Sequence, residues 1–325
     1  MNRLVLIDGN AVMHRAYHAL PPLTSPEGKP VHIVYGFVSM ILKIFQALKP
    51  THIAVAFDRP GPTFREKLFS GYQTQRPKME DDFISQIPLV HETVAAFHIP
   101  IFEMDGFEAD DMIGTITDAV VRSKGGKQHS IDQVVIVTGD RDILQLVTDD
   151  KALVYMPTKG LSEGRLYGEK DVAERMGVLP KLIIDLKALM GDASDNYPGV
   201  AGIGPKTAIR LLTEYGSVEK IYRHIDAIAN QNVKAKLVAG KDSALLGKTL
   251  ATIRTDAPIV FDPEAARINS LATPEVRLVL ERFRFPSLIK RLYARDGSDT
   301  AVAASMTKKH KANNPQTSQQ QQELF

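Results

Sequence analysis

The sequence predicts an α/β protein: a mainly parallel central sheet covered by helices, followed by a helical half built on a helix–hairpin–helix. Three observations carry this. Short runs rich in Val and Ile recur at Leu4-Val5-Leu6-Ile7, Ile53-Ala54-Val55-Ala56-Phe57 and Val134-Val135-Ile136-Val137. Their length and continuity suit strands buried on both faces. Between the first two, Phe37, Ile41, Ile44, Phe45 and Leu48 recur at helical spacing, and strand–helix–strand alternation favours parallel pairing. Further on, Pro198-Gly199-Val200-Ala201-Gly202-Ile203-Gly204-Pro205-Lys206-Thr207-Ala208 places a Gly-x-Gly turn between two helical patterns.

Each strand-like run leads into an acid: Asp8 after the first, Asp58 after the second, Asp140 and Asp142 after the third. Acids at the carboxyl ends of parallel strands converge at one sheet edge, where α/β proteins bind ligands. Two further segments add Glu108, Asp110 and Asp111 in Gly-Phe-Glu-Ala-Asp-Asp, and Asp192 and Asp195 in Gly-Asp-Ala-Ser-Asp-Asn. Singly, such an acid is most often a helix N-cap or turn residue. Together, three acids in one helical turn and an Asp-x-x-Asp pair make a poor solvated surface and a good metal site. Nine carboxylates share a pocket only if cations neutralise them, and hard oxygen ligands suit two Mg²⁺ or Mn²⁺ ions.

These segments closely resemble the 5′ nuclease domain of bacterial DNA polymerase I and, beyond it, the flap endonuclease family. The resemblance rests on Leu-Ile-Asp-Gly-Asn at 6–10, Val-Tyr-Gly-Phe at 34–37, Ala-Phe-Asp at 56–58 and Gly-Phe-Glu-Ala-Asp-Asp at 106–111. It continues through Thr-Gly-Asp-Arg-Asp-Ile-Leu-Gln-Leu at 138–146 and Gly-Asp-Ala-Ser-Asp-Asn at 191–196, and runs from Met1 to about Arg295. It implies a PIN-like or resolvase-like sheet, and that all nine acids belong to the active site. In that site one metal would be held mainly by Asp8, Asp58, Glu108, Asp110, Asp111 and Asp140, and a second near Asp142, Asp192 and Asp195. The catalytic set it implies is Asp8, Asp58, Arg76, Asp110, Asp140 and Asp192.

Residues 60–80 break the strand–helix rhythm, interleaving Arg65, Lys67, Arg76 and Lys78 with Phe64, Phe69 and Tyr72. Such spacing suits a phosphate backbone with bases stacked beside it, and equally a solvated amphipathic helix. In the resembled family this region, here about 60–95, is a helical arch that admits a single-stranded 5′ end, so Arg65, Tyr72, Gln73 and Arg76 are expected to meet DNA. One departure stands out: the family pattern Tyr-Lys-x-x-Arg reads Tyr72-Gln73-Thr74-Gln75-Arg76 here. Glutamine hydrogen-bonds without charge, which predicts reduced but real turnover, with Lys67 or Lys78 as candidates to compensate. Tyr17 reads as a base-stacking residue by resemblance and as a core tyrosine by spacing. His14, His18, His32 and His52 have no metal-ligand spacing.

At the hairpin, glycines let the backbone approach a phosphate, and the following helix offers its N-terminal amides. Gly202, Ile203, Gly204, Lys206 and Thr207 are therefore candidates for duplex contact, and the resemblance adds a K⁺ held by hairpin carbonyls. Lys234, Lys236, Lys241 and Lys248 extend that surface or simply face solvent. A last helical segment is expected over Pro274–Tyr293.

The expected organisation is a catalytic α/β part (1–175), a helical part (176–295), a disordered linker (296–320) and a terminal peptide (321–325). Residues 296–322 are too polar to fold alone. A polymerase I would continue into further domains, so a free-standing nuclease is expected. Gln321, Leu324 and Phe325 resemble the short bacterial sliding-clamp-binding peptide, two apolar anchors with a directional glutamine.

Composition bounds the partners. A net charge of +2 does not announce a nucleic-acid binder, but nine clustered acids would mask a basic surface elsewhere. The absence of cysteine excludes disulfides, zinc–thiolate sites and thiol nucleophiles. The N-terminal apolar run is too short for a signal peptide and no run could span a bilayer, so a cytoplasmic location is expected. A monomer associated with the nucleoid is a separate expectation. The function expected is a 5′-3′ exonuclease and flap endonuclease acting on 5′ flaps, nicked or gapped duplex and RNA primers in replication and repair. The alternatives are a PIN-type ribonuclease, which normally lacks the arch and hairpin, and a weakly catalytic DNA-binding relative, which would have lost acids. A phosphatase of the haloacid dehalogenase type wants Asp-x-Asp after its first strand, and Asp8-Gly9-Asn10 fails that test.

Overall fold

The computed structural model describes residues 1–123, 131–149, 151–159 and 163–293. Its centre is a six-stranded sheet of β1 (Arg3–Asp8), β2 (His52–Ala56), β3 (Ile101–Phe102), β4 (Gln133–Val137), β5 (Ala152–Lys159) and β6 (Glu163–Tyr167). The spatial order is β3-β2-β1-β4-β5-β6, parallel throughout except for the antiparallel β5–β6 pair. The chain leaves β1 toward β2 on one side and returns to β4 on the other. The carboxyl ends of β1 and β4 therefore flank a topological switch point.

Alternate residues of the central strands serve two different cores. Leu4, Leu6, Ala54, Ala56, Val134 and Ile136 face one, while Val5, Ile7, Ile53, Val55, Val135 and Val137 face the other. Each large apolar side chain fully buried here contributes about 1.5–3 kcal/mol. The second face is covered by α1 (Gly9–Ala19), α2 (His32–Leu48) and α5 (Ile87–Ala96). The α1 and α2 backbones approach closely at Gly36, where an added Cβ would lie 2.4 Å from Cβ of Ala16. Between β2 and α5 run the short helices α3 (Phe64–Leu68) and α4 (Asp81–Ile84), separated by turns over 70–76.

The first face carries α6 (Ala109–Arg122), α7 (Glu169–Met176) and α8 (Ile183–Met190). A two-stranded hairpin of β7 (Gly191–Asp192) and β8 (Tyr197–Pro198) leads to α9 (Pro205–Tyr215), α10 (Val218–Arg223), α11 (Gln231–Ala239) and α12 (Lys241–Ala251). Ile203, Ala208, Leu211, Leu212 and Leu237 belong to the same cluster as Leu4 and Val134. One continuous core thus joins the helical half to the sheet.

The end of the described chain departs from expectation. Pro274–Tyr293 is two helices, α13 (Pro274–Arg282) and α14 (Pro286–Tyr293), broken at Arg284, whose φ is 54°. Pro286 cannot continue α13 and starts α14. This pair packs on the second sheet face, burying Val276, Leu280, Leu288 and Leu292 beside α2 and α5. It covers the α/β part, although the sequence reading grouped it with the helical half. Residues 294–325, including the expected linker and terminal peptide, lie outside the described residues.

Backbones approach closely at the β7–β8 hairpin. A Cβ on Gly199 would lie 2.2 Å from the Gly191 nitrogen and 2.3 Å from the Met190 carbonyl carbon. Gly199→Ala is therefore expected to destabilise the fold by about 2–4 kcal/mol in denaturant unfolding. Gly204→Ala, with open space around its Cβ, should stay within about 1 kcal/mol of wild type. Equal stability of the two variants would contradict this packing.

Candidate metal centre and nucleic-acid interface

The acids gather at the carboxyl edge of the sheet, each held by local backbone geometry. Asp8 ends β1 and caps α1, accepting from the Ala11 N–H at 2.9 Å and from the Thr138 hydroxyl at 2.6 Å. Asp58 accepts from the Ala109 N–H at 2.7 Å, while its own N–H donates to Asn10. Glu108 caps α6 and accepts from the hydroxyls of Thr63 and Tyr72, each at 3.3 Å. Asp110 stands in the first turn of α6, within electrostatic reach of Asp8, Asp58, Glu108 and Asp140. The Asp140 carboxylate accepts from the Asp142 N–H at 2.8 Å.

The second group is tighter. Asp142, Asp192 and Asp195 each offer a carboxylate oxygen, and these atoms lie within 4.8 Å of one another, the one such trio among the described residues. Asp192 accepts from the Ser194 N–H at 2.7 Å. Lys187, at the end of α8, contacts both Asp142 and Asp192. The guanidinium of Arg76 donates to Asp195 at 2.6 Å. Lys187 escaped the sequence reading. Its signal was a lone cation in the otherwise apolar stretch Leu186-Lys187-Ala188-Leu189, five residues before Asp192.

Three expectations are corrected here. Asp111 is not a metal ligand: it is fully buried, and Arg65 donates to both its oxygens at 2.8 Å. The N–H groups of Glu108 and Arg254 fill its remaining acceptor sites at 3.0 and 2.9 Å. Arg65 is accordingly not a DNA contact, since its guanidinium also donates to the carbonyls of Leu250 and Thr252. Tyr72 does not offer a face for base stacking: it is buried against Tyr197, Leu250 and Ala251, with its ring 6.4 Å from that of Tyr197.

The rest of the turn is better placed. Gln73 adopts φ 56°, and its N–H donates to the Asp195 carbonyl at 2.9 Å. Asn196 donates from Nδ2 to the Gly71 carbonyl at 2.8 Å. The 71–76 turn is thereby docked on the β7–β8 hairpin. Thr74–Asp82 is exposed, including Lys78, and Lys67 is exposed as well. Tyr17 points elsewhere: its hydroxyl donates to Asp82 at 2.8 Å and its ring packs near His32 and Phe83.

In the helical hairpin, Gly202 takes φ +77°, a conformation L side chains avoid, and Gly204 caps α9 without a side chain. Lys206 is exposed and Thr207 half-buried at the start of α9. Ile203 is a buried core residue whose N–H donates to the Val200 carbonyl, so its side chain anchors the turn instead of meeting DNA. Lys236 donates to the Gly202 carbonyl at 3.2 Å. Lys241 is exposed, and Lys234 pairs with Asp226. Lys248 is spent on Asp185 and Glu219 and does not extend the surface.

Crowding shows in the protonation equilibria. Burial, opposed by the Ala11 N–H and Thr138 hydroxyl, pushes Asp8 up to about 7. Burial likewise pushes Glu108 up to about 7, against the pull of the Arg65 guanidinium. Burial and then the neighbouring Asp140 charge raise Asp142 to about 7, although Lys187 opposes them. Asp110 is raised well above the usual carboxylate range by burial and by Asp140 and Asp8. Asp192 is the exception: burial favours its neutral form, but Lys187 and Ser194 outweigh this and lower it.

Residues 3–177 match the family described as 5′-3′ exonuclease, N-terminal resolvase-like domain, and residues 178–274 match 5′-3′ exonuclease, C-terminal SAM fold. The chain belongs to the 5′-3′ exonuclease family. DNA polymerase I of Bacillus subtilis (strain 168) is 39% identical over 301 residues, covering 93% of this chain and 33% of the polymerase. DNA polymerase I of Caldicellulosiruptor bescii is 42% identical over 291 residues, covering 89% of this chain and 33% of that protein. The chain thus spans about a third of the length of these relatives. The zinc-bound 5′-exonuclease of bacteriophage T5 shares the fold, with a TM-score of 0.64 and 24% identity over 86% of this chain and 99% of that one.

The donor set of this family member fits divalent cations. The trio supplies only hard oxygen ligands, and the acids around it carry more negative charge than the nearby side-chain cations offset. Asp142, Asp192 and Asp195 would hold one ion, with Asp8, Asp58, Glu108, Asp110 and Asp140 disposed around a second. Asp8, Glu108 and Asp142 bind a proton more tightly folded than unfolded. They therefore favour the metal-free fold at low pH, and that contribution is lost as pH rises through about 7. A bound cation must displace the same protons. Thermal melts in EDTA should show this contribution declining between about pH 4 and 7 and level above that, while the rise in Tm caused by Mg²⁺ grows over the same window. A Mg²⁺ effect independent of pH would contradict the assignment.

Proposed function

We propose that this chain is a structure-selective 5′ nuclease, a 5′-3′ exonuclease and flap endonuclease that hydrolyses phosphodiesters in DNA bearing a free 5′ single-stranded end. The observation that carries this reading is the trio of Asp142, Asp192 and Asp195 beside Asp8, Glu108 and Asp110, with the 71–76 turn docked against it. Bound Mg²⁺ or Mn²⁺ supplies Lewis acidity to the scissile phosphate and stabilises charge on the attacking and leaving oxygens. Products would carry a 5′-phosphate. Arg76, half-exposed beside Asp195, is the chain's own phosphate clamp, with its planar fork of donors.

Away from the cut, the open N-terminus of α9 with Lys206 and Thr207 suits a duplex phosphate, which would position the substrate without reading its sequence. A K⁺ ion at the hairpin carbonyls belongs to the same reading. Among the described residues no helix is long and apolar enough to cross a membrane. The substrates proposed are 5′ flaps, nicked or gapped duplex and RNA primers, met in lagging-strand maturation and excision repair by a cytoplasmic, nucleoid-associated monomer. A terminal peptide with Gln321, Leu324 and Phe325 would tether it to a bacterial sliding clamp, raising its local concentration.

The decisive assay is cleavage of a labelled double-flap DNA and of the matching RNA. With Mg²⁺ the DNA should be cut at the flap junction and with EDTA it should not. Asp192→Ala should lower the single-turnover rate by at least about 100-fold. In the same assay Gln73→Lys should be faster than wild type, because it adds a charge beside the 71–76 turn. Preference for the RNA, or Asp192→Ala cutting at the wild-type rate, would sink the reading. Removing residues 321–325 should abolish binding to the sliding clamp while free flap DNA is still cut normally. Retained clamp binding would make that segment irrelevant to it.

A further inference from the structure

Lys187 is a cation at the acid cluster to which the proposed reading gives no role. Lys187 lies in the last turn of α8, among the buried Ile183, Leu186, Ala188 and Leu189. Its side chain is only 16% exposed. The Lys187 carbonyl accepts from the N–H of Gly191, the residue immediately before Asp192. The ammonium is thereby built into the same short segment that presents the acid. It contacts Oδ1 of Asp142 and Oδ2 of Asp192, two members of the trio, while Arg76 takes Oδ1 of Asp195.

We propose that Lys187 is a positioning residue that sets the divalent-cation affinity of the Asp142–Asp192–Asp195 site by competing with the cation for the same carboxylate oxygens. This rests on the metal reading of the trio. A lysine ammonium is a compact point charge with three donors, so it neutralises two carboxylates without ligating. A divalent ion drawing on Asp142 and Asp192 must either displace that ammonium or sit beside it against Coulomb repulsion. By linkage, whatever Lys187 contributes to the metal-free protein it subtracts from metal affinity at this site. Among the described residues no lysine acts on Asp8 or Asp110, and the nearby Arg65 is engaged by Glu108 and Asp111. The two sites therefore differ in affinity and the trio fills last. The position of the cation at a helix C-terminus, where the helix dipole favours positive charge, holds it there in the metal-free protein.

The test is Mn²⁺ binding to the full-length protein without DNA, followed by electron paramagnetic resonance and calorimetry. Wild type should bind two ions with unequal affinity. In Lys187→Gln the weaker site should tighten by about tenfold, whereas Lys187→Arg, which keeps the charge, should stay within about threefold of wild type. In EDTA, Lys187→Gln should melt lower than wild type, and Mn²⁺ should raise its Tm by more. If that variant fails to fold without metal, refolding driven by Mn²⁺ and followed by circular dichroism reads the same competition. Weaker-site affinity that is unchanged or reduced in Lys187→Gln, or a failure of Mn²⁺ to refold it, overturns the proposal while the nuclease reading stands. A wild type that binds no Mn²⁺ overturns both.

Discussion

Like-charge repulsion at one edge of the sheet is the constraint around which this molecule is organised. Parallel pairing of β1 with β2 and β4 brings Asp8, Asp58 and Asp140 to the same edge, and α6 and the β7–β8 hairpin add the rest. The charges are offset in two ways. Some are paired with buried or half-buried cations: Arg65 with Asp111 and Glu108, Arg76 with Asp195, Lys187 with Asp142 and Asp192. Others hold protons unusually tightly, as Asp8 and Asp110 do. Removing one member of a buried ion pair is costly because the partner charge is left uncompensated, commonly about 3–5 kcal/mol. The same interactions therefore stabilise the fold and shape the site.

The pairings also decide how distant segments meet. Arg65 reaches from α3 to the first turn of α6 and to the end of α12, where it donates to the Leu250 carbonyl. That one side chain fixes the root of the 64–76 segment against both halves of the protein. Arg76, Gln73 and Tyr72 then tie the turn to Asp195, and Asn196 closes the arrangement from the other side. The segment expected to form a helical arch is, over 64–76, anchored at several points. The exposed stretch begins at Thr74 and ends near Asp82.

The helical half is joined to this edge by packing. Ile203 pins the hairpin into the core shared with the sheet, leaving Gly204, Lys206 and the α9 amides outside. Because interiors are close-packed and deform little, the distance between the hairpin and the acid edge is fixed by that core. The proposed function, gripping duplex at one place and cutting at another, would use such a fixed separation.

Much was legible in the sequence. Val and Ile runs gave the central strands, since a strand buried on both faces must be apolar at every position. Helical spacing gave α2, and the acids at strand ends gave the edge at which they gather. The grouping of Asp142, Asp192 and Asp195 came from the family resemblance and not from spacing; that their carboxylate oxygens converge is a fact of the tertiary structure. What spacing could not decide was orientation. Asp110 and Asp111 are neighbours in sequence, but adjacent residues on a helix point about 100° apart. Only the packed structure sends Asp110 toward the other acids and Asp111 inward to Arg65. Arg65 and Tyr72 read as surface groups because burial of a charge or hydroxyl depends on partners far along the chain: Asp111 is 46 residues from Arg65, and Asp195 is 123 from Tyr72. Lys187 and the packing of α13 and α14 on the far face were decided the same way, by long-range contacts that local pattern does not encode. The sequence by itself determined which chemistry gathers at the sheet edge, because residue type and strand-end position are local. Tertiary structure decided which of those groups are free to act and which are spent holding the fold.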